Sequence, residues 1–344
     1  MKALSSLFAV FVLVLVAQLG AGALGWHTLF GVIIPYVAFV IFLVGFVAKV
    51  WNWGKAPVPF RIPTTAGQQK TLPWIKHDKL DNPVTGWQTF WRMVLEVCLF
   101  RSLFRNNKVE KYDTGAGVDA KIRYGSAKWL WLFSIIFHYS FLIVVIRHLR
   151  LFTAELPVFL VPVEFFDSIL QLGVPAMYIS GVTLLLGTVL LFLRRAIIPQ
   201  VRYISLAADY FPLFLIMAIA SSGILMRYFG KTDIIGVKDM LMGLIAFKPT
   251  IVETVDTIFY IHVFLVSILL AYFPFSKLMH LGGVFLSPTR NLPNNTRWKR
   301  HINPWNPEHV KAHSYADYED DFREKMIEAG VRVDKGVDDA NVTE

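Results

Sequence analysis

Four of the nine histidines, His138, His148, His262 and His280, stand in stretches that are otherwise apolar. Ionisable side chains in lipid are costly, tend to face a bundle interior and mark function. Imidazole is a common axial ligand of haem that has no covalent link to the chain. Two helices with two histidines each can therefore hold two bis-histidine b-type haems. Antiparallel stretches pair His138 with His280 at one depth and His148 with His262 at the other. As α-helix, the ten-residue and eighteen-residue separations are about 15 Å and about 27 Å. Eighteen residues make five whole turns, so His262 and His280 are expected on one face, whereas ten residues fall about 80° short of three turns. The resulting mismatch of about 12 Å calls for oblique His–Fe–His lines or helix tilt, with Pro274 kinking the second stretch between its ligands.

Other chemistry is open to the same residues. Zinc needs ligands gathered within a few ångströms, which pairs so widely spaced do not supply. A histidine in a span can also be an ordinary hydrogen-bonding residue of a helix interface, and a series of them can form a proton path in a haem-free anchor. The single cysteine, Cys98, supports neither an iron-sulfur cluster, nor covalent haem attachment, nor an internal disulfide. The chain is thus expected to have no iron-sulfur cluster of its own, and an electron reaching the inner histidine pair must leave to another polypeptide. His27, His77, His301, His309 and His313 fall in loops or at span edges and read as solvated.

Cations stand near both depths. Arg147 and Arg150 lie at the outer end of the stretch carrying His138 and His148, and Lys277, Arg194 and Arg195 lie near the inner level. All suit haem propionates. Interfacial anchoring explains the inner set well and the outer set poorly, so Arg147 and Arg150 carry more of that expectation.

The elements that must position these residues follow from hydropathy. The 344 residues are 55% hydrophobic and only 17% charged, with a mean hydropathy of +0.50, which argues against one large water-soluble domain. The expected fold is an all-α polytopic membrane helix bundle with six spans, at 3–24, 29–50, 129–149, 172–193, 204–226 and 258–281. Residues 51–127 hold twelve Lys or Arg, and Arg194, Arg195 and Arg202 follow the fourth span, so these sides read as cytoplasmic. The loop at 151–171 has Glu155, Glu164 and Asp167 but no Lys or Arg and reads as outside. Both termini are then cytoplasmic in a multi-pass inner-membrane protein. The expected organisation is two N-terminal spans (1–50), a cytoplasmic insertion (51–127), a four-helix haem-binding region (128–285) and a cytoplasmic tail (286–344). The first span resembles a signal peptide at Ala21-Gly22-Ala23, but its long apolar run and lone basic residue, Lys2, favour a retained span.

The formal charge of +9 is a topology signal, not a nucleic-acid footprint. Gly20 to Gly25 spells Gly-x-Gly-x-x-Gly without a preceding strand, so it is no dinucleotide site. The sequons at Asn294 and Asn341 are accidental on the predicted cytoplasmic side. Residues 314–344 carry ten acids against four bases. The tail's last dozen residues read as solvated, while Trp298, Trp305, Tyr315 and Tyr318 suit docking onto a partner.

The two histidine spacings, with Phe273-Pro274-Phe275-Ser276-Lys277-Leu278-Met279-His280 closing the sixth span, resemble the gamma subunit family of respiratory nitrate reductase, five-span dihaem cytochromes b. This likeness covers 29–50 and 129–281. It implies that His148 and His262 ligate the outer haem iron and His138 and His280 the inner. Pro59-Phe60-Arg61-Ile62-Pro63 with the residues to Lys70, Leu99-Phe100-Arg101-Ser102-Leu103-Phe104-Arg105, Ser287-Pro288-Thr289-Arg290-Asn291 and His301-Ile302-Asn303-Pro304-Trp305-Asn306 resemble the DsrM family. These are cytochrome b subunits of the DsrMKJOP membrane complexes of sulfur metabolism, related to heterodisulfide-reductase-like menaquinol-oxidising complexes. The resemblance implies an electron-transfer subunit that oxidises menaquinol and passes electrons across the membrane to a cytoplasmic iron-sulfur subunit, with further membrane and extracytoplasmic redox subunits. The reverse direction, quinone reduction, stays open. The nitrate reductase subunit uses a lysine near its outer quinone site; here that stretch has none, which leaves Glu164, Asp167 and Gln171, with Arg147 nearby, as candidates or as plain loop-end polar residues.

Overall fold

A computed structural model of the chain describes residues 2–56, 67–104, 108–112, 121–169, 176–299 and 313–334. Among these residues, six helical segments are long and apolar enough to cross a membrane: Lys2–Ala23, Leu29–Lys55, Lys128–Phe152, Ile179–Ile197, Ala207–Gly230 and Thr257–Phe275. In chain order the helices are α1 (Lys2–Ala17), α2 (Ile34–Lys55), α3 (Gly86–Leu99), α4 (Arg101–Phe104), α5 (Lys128–His148) and α6 (Leu160–Asp167). Then come α7 (Ile179–Ile197), α8 (Pro199–Ile204), α9 (Ala207–Ile224), α10 (Ile234–Ile245), α11 (Thr257–Tyr272), α12 (His280–Leu286) and α13 (Tyr315–Glu328). Between α4 and α5, β1 (Lys108–Tyr112) and β2 (Lys121–Gly125) pair antiparallel, with Lys108 opposite Gly125.

The chain forms two compact units, residues 1–57 with 61–298, and 58–60 with 299–344. In the first, α5 packs on α7, α7 on α9, α9 on α11 and α11 on α2, while α1 lies on α9 and α11. Its main core joins Val10, Ala17, Phe30, Leu215, Met240, Phe259, Tyr260 and Phe264, and a smaller one joins Leu184, Ile216 and Ala220 under Phe137 and Phe141 of α5. Close approach is set by glycines. A Cβ on Gly187 of α7 would stand 3.0 Å from the backbone nitrogen of Phe137, and one on Gly45 of α2 would stand 2.7 Å from Pro274 Cβ. In the second unit, α13 is capped by Ser314 and Asp317, and Arg323 reaches Glu319 at 2.9 Å.

Two expectations need correction. The fourth span begins at Ile179, seven residues later than its apolar run, because the polypeptide is non-helical at 176–178. The sixth span is not one helix through His280. α11 ends at Tyr272, a 3-10 turn covers Phe273–Phe275, Ser276 is extended at φ −120° and ψ 175°, and a second 3-10 turn covers Lys277–Met279 before α12. Proline cannot continue the hydrogen-bond ladder, and the Ser276 hydroxyl restarts it by accepting from the Leu278 N–H at 3.2 Å. The five-turn argument for His262 and His280 therefore fails, and Pro274 stands in the break between the two histidines, where a kink was expected.

The segment at 67–104 folds onto 287–298. Arg290 pairs with Glu96 and Ser102, Arg101 with Asp81, and Asn294 Nδ2 donates to Asn82 Oδ1 at 2.9 Å with both asparagines buried. Trp298 lies under Lys70, whose Nζ is 4.1 Å from the ring centre, so this tail aromatic is met by the chain itself. Gln171, Trp305, most of the 59–70 motif and the 301–306 motif lie outside the described residues.

Candidate functional site

His138 and His148 on α5 meet His280, which opens α12, and His262 on α11. The rings of His148 and His262 are 6.4 Å apart between centroids and nearly parallel, at 9°. Those of His138 and His280 are 5.9 Å apart and nearly perpendicular, at 84°. His148 and His280 are exposed, whereas His138 and His262 are half-buried.

Each ring is fixed through Nδ1. His138 donates to the Ser134 carbonyl at 2.8 Å, His148 to that of Val144 at 2.7 Å and His280 to that of Lys277 at 2.7 Å. A carbonyl only accepts, so the proton is on Nδ1 in all three. His262 differs, meeting the Ser222 hydroxyl of α9 at 2.9 Å. That hydroxyl already donates to the Ile219 carbonyl at 2.9 Å, so its lone pair takes the His262 proton. All four Nε2 atoms are left with their lone pairs free among the described residues, the state a metal-ligating imidazole requires.

The inner pair is framed by two contacts. Phe100, in the left-handed conformation at φ 48°, sets its ring edge-on to His138 at 4.9 Å. Lys277, whose carbonyl holds His280, pairs with the buried Asp209 of α9 at 2.7 Å. Arg195 donates to Ser205 Oγ at 3.2 Å. Arg194, half-buried, shares the last turn of α7 with it.

At the outer end, the expected cations and acids meet one another. Arg147 pairs with Asp167 at 2.7 Å, and Asp167 also accepts from the Ser180 N–H and hydroxyl, each at 2.6 Å. Arg150 pairs with Glu164 at 2.9 Å. Sequence reasoning missed what surrounds them. The Tyr178 ring has the Arg147 guanidinium carbon 3.1 Å from its centre and that of Arg227 3.8 Å away, and the Tyr178 N–H donates to the Tyr228 hydroxyl at 2.6 Å. Among the described residues Arg227 has no carboxylate partner, and its Nε, like that of Arg147, is buried without a hydrogen bond. A readable signal existed: Arg227, like Arg147, is a cation at the outer end of a span, where the positive-inside rule does not ask for one. Ser222 was signalled only by the small polar run Ser221-Ser222-Gly223 in an apolar span, a composition typical of helix interfaces.

These features define an all-α, multi-pass membrane bundle with facing histidines at two depths. The nitrate reductase gamma subunit family matches residues 88–297, and the chain belongs to that family of helical membrane cytochromes b. The match starts inside the segment expected to be an insertion and leaves out the second span. The chain is 45% identical over 289 residues to the Hdr-like menaquinol oxidoreductase cytochrome b-like subunit of Archaeoglobus fulgidus, covering 82% of this chain and 85% of that one. It is 41% identical over 281 residues to the subunit of the same name from Archaeoglobus profundus, covering 80% and 82%.

Proposed function

We propose that the chain is the dihaem cytochrome b subunit of a quinol-linked complex, with His138 and His280 holding the inner b-type haem and His148 and His262 the outer. The observation that carries this is the set of four imidazoles, protonated at Nδ1 and free at Nε2, in two facing pairs. An imidazole that bound a metal through Nε2 would have its ring centre about 3 Å from it, so two such rings holding one iron would stand about 6 Å apart. Both pairs have that separation. When bound, the haems supply one-electron redox chemistry. The chain's own contribution is to hold each ring through Nδ1, to set ligand basicity by the acceptor on that atom, and to keep cations near the propionates. At the outer end Arg227, without a carboxylate partner among the described residues, is the freest cation for a propionate, ahead of Arg147 and Arg150. Lys277, Arg194 and Arg195 serve the inner level.

The substrate in this reading is menaquinol, after the names of the Archaeoglobus relatives. Its oxidation to menaquinone releases two electrons and two protons at the outer end. Of the candidate acids, Asp167 is committed to Arg147 and Ser180, while Glu164, 19% exposed, keeps an edge open to take a proton. The electrons leave from the inner pair to a cytoplasmic iron-sulfur subunit of a sulfur-metabolising complex, with both termini on that side of the inner membrane.

A reduced-minus-oxidised spectrum of the purified chain should show b-type bands with two haems per chain. His262→Ala and His280→Ala should each abolish a different haem. Loss of the same haem in both variants would overturn the pairing, and absence of b-type bands would return the histidines to a haem-free proton path.

A further inference from the structure

α3 turns its polar side inward. Thr89 and Arg92 are buried, and Glu96 accepts from the Ser102 N–H at 3.0 Å and pairs with Arg290. Its apolar side faces out, with Trp87, Phe90, Trp91 and Val97 exposed by 67%, 51%, 44% and 38%, and with Cys98 exposed. Positions 87, 90, 91, 94, 97 and 98 follow the spacing of one helical face, so the stripe is continuous. The rings of Trp87, Phe90 and Trp91 pack on one another at 5.4 to 5.6 Å and form a single aromatic surface. A helix in water would present the opposite face.

The level of this helix is fixed by a membrane span. Tyr139 of α5 donates its hydroxyl to the Cys98 carbonyl at 2.7 Å, and Trp131 Nε1 donates to the Leu99 carbonyl at 2.7 Å. The ring of Phe104 lies edge-on to Trp131 at 5.3 Å. Trp131 and Tyr139 are three and eleven residues into the span Lys128–Phe152, about 5 Å and about 16 Å from its end. The C-terminus of α3 is therefore tied alongside the inner part of a lipid-embedded helix. Tryptophan-rich helices with one apolar face collect at the boundary of headgroups and acyl chains.

We propose that α3 is an interfacial membrane helix whose stripe from Trp87 to Cys98 lies in lipid, not in water and not against a partner protein. The segment that sequence reading sets wholly in the cytoplasm then dips into the membrane beside the inner histidine pair, and a soluble partner has to approach over the polar side formed by Arg101, Asp81 and Arg290.

Because Cys98 is the chain's one cysteine, the unaltered full-length chain in lipid nanodiscs can carry a nitroxide there. Trp87→Cys with Cys98→Ser supplies a second position. Val44→Cys on α2 and Lys231→Cys, each in the same Cys98→Ser background, serve as lipid and water controls. Power saturation should give both α3 positions collision with oxygen exceeding collision with a water-soluble nickel chelate, as at Val44→Cys. Dominant nickel collision, as at Lys231→Cys, would overturn the proposal. So would protection from both relaxants, which assigns the face to a protein contact. None of these readouts depends on haem.

Discussion

At the scale of single residues, the two histidine pairs differ in a way that spectroscopy can read. Axial imidazoles with parallel planes interact with one of the two iron dπ orbitals more than the other and split them, whereas perpendicular planes treat both alike. The pair at 9° should give a rhombic low-spin signal in electron paramagnetic resonance of the oxidised protein, and the pair at 84° a signal with a much larger maximum g value. Ser222 bears on the first of these, since its hydroxyl meets His262 beside the Ile219 backbone, whereas no side chain shares the carbonyl bonds of the other three rings among the described residues. Ser222→Ala should shift the rhombic signal alone. It should also raise that haem's midpoint potential by on the order of 40 mV, the equivalent of about 1 kcal/mol for one lost hydrogen bond in a one-electron couple. A shift of both signals, or of neither, would contradict the assignment of Ser222 to the outer pair. The histidines were legible in the sequence because ionisable residues in apolar runs are conspicuous. Ser222 was not, because a serine in a membrane helix usually bonds its own backbone, and nothing in sequence tells which side chain also leans on it.

At the scale of elements, four of the six apolar runs became helices within a few residues of where hydropathy put them, since period and length fix a span without help from neighbours. The failures have one cause, backbone whose hydrogen bonds are satisfied by something other than the helix ladder. Pro274 and Ser276 end α11 and restart the chain; the proline announced a kink, but not that a separate helix begins at His280. Distances between helices were equally invisible, and Gly187 shows why they matter. With the Phe137 backbone nitrogen 3.0 Å from where a Cβ would stand, α5 can approach α7 only while that position has no side chain, and Phe137 immediately precedes His138. Gly187→Ala should cost about 1–3 kcal/mol, the usual penalty of overpacking. It should also disturb the perpendicular histidine pair before the parallel one. Thermal loss of the b-type bands, followed separately for the two haems, measures both effects; an unchanged melting profile would mean that α5 shifts freely on α7.

At the scale of the whole molecule, the charges organise the chain across the membrane. Residues 51–127 and the end of α7 concentrate Lys and Arg on one side. The outer arginines, which count against that asymmetry, are largely neutralised in place: Arg147 by Asp167 and Arg150 by Glu164. Those acids were conspicuous in the sequence as lone charges in a loop without Lys or Arg, yet their partners lie twenty and fourteen residues away across a turn and α6, so the pairing belongs to the fold alone. The expected orientation has both termini on the basic side, because six spans return the chain to the side it started from. A periplasm-active phosphatase fused after Lys231, in the connection between the fifth and sixth spans, should be active, and the same enzyme at Glu344 should be inactive while a fluorescent protein there folds and emits. The opposite pattern would invert the molecule, move the His138/His280 pair to the outer side, and turn the proposed direction of electron transfer around with it.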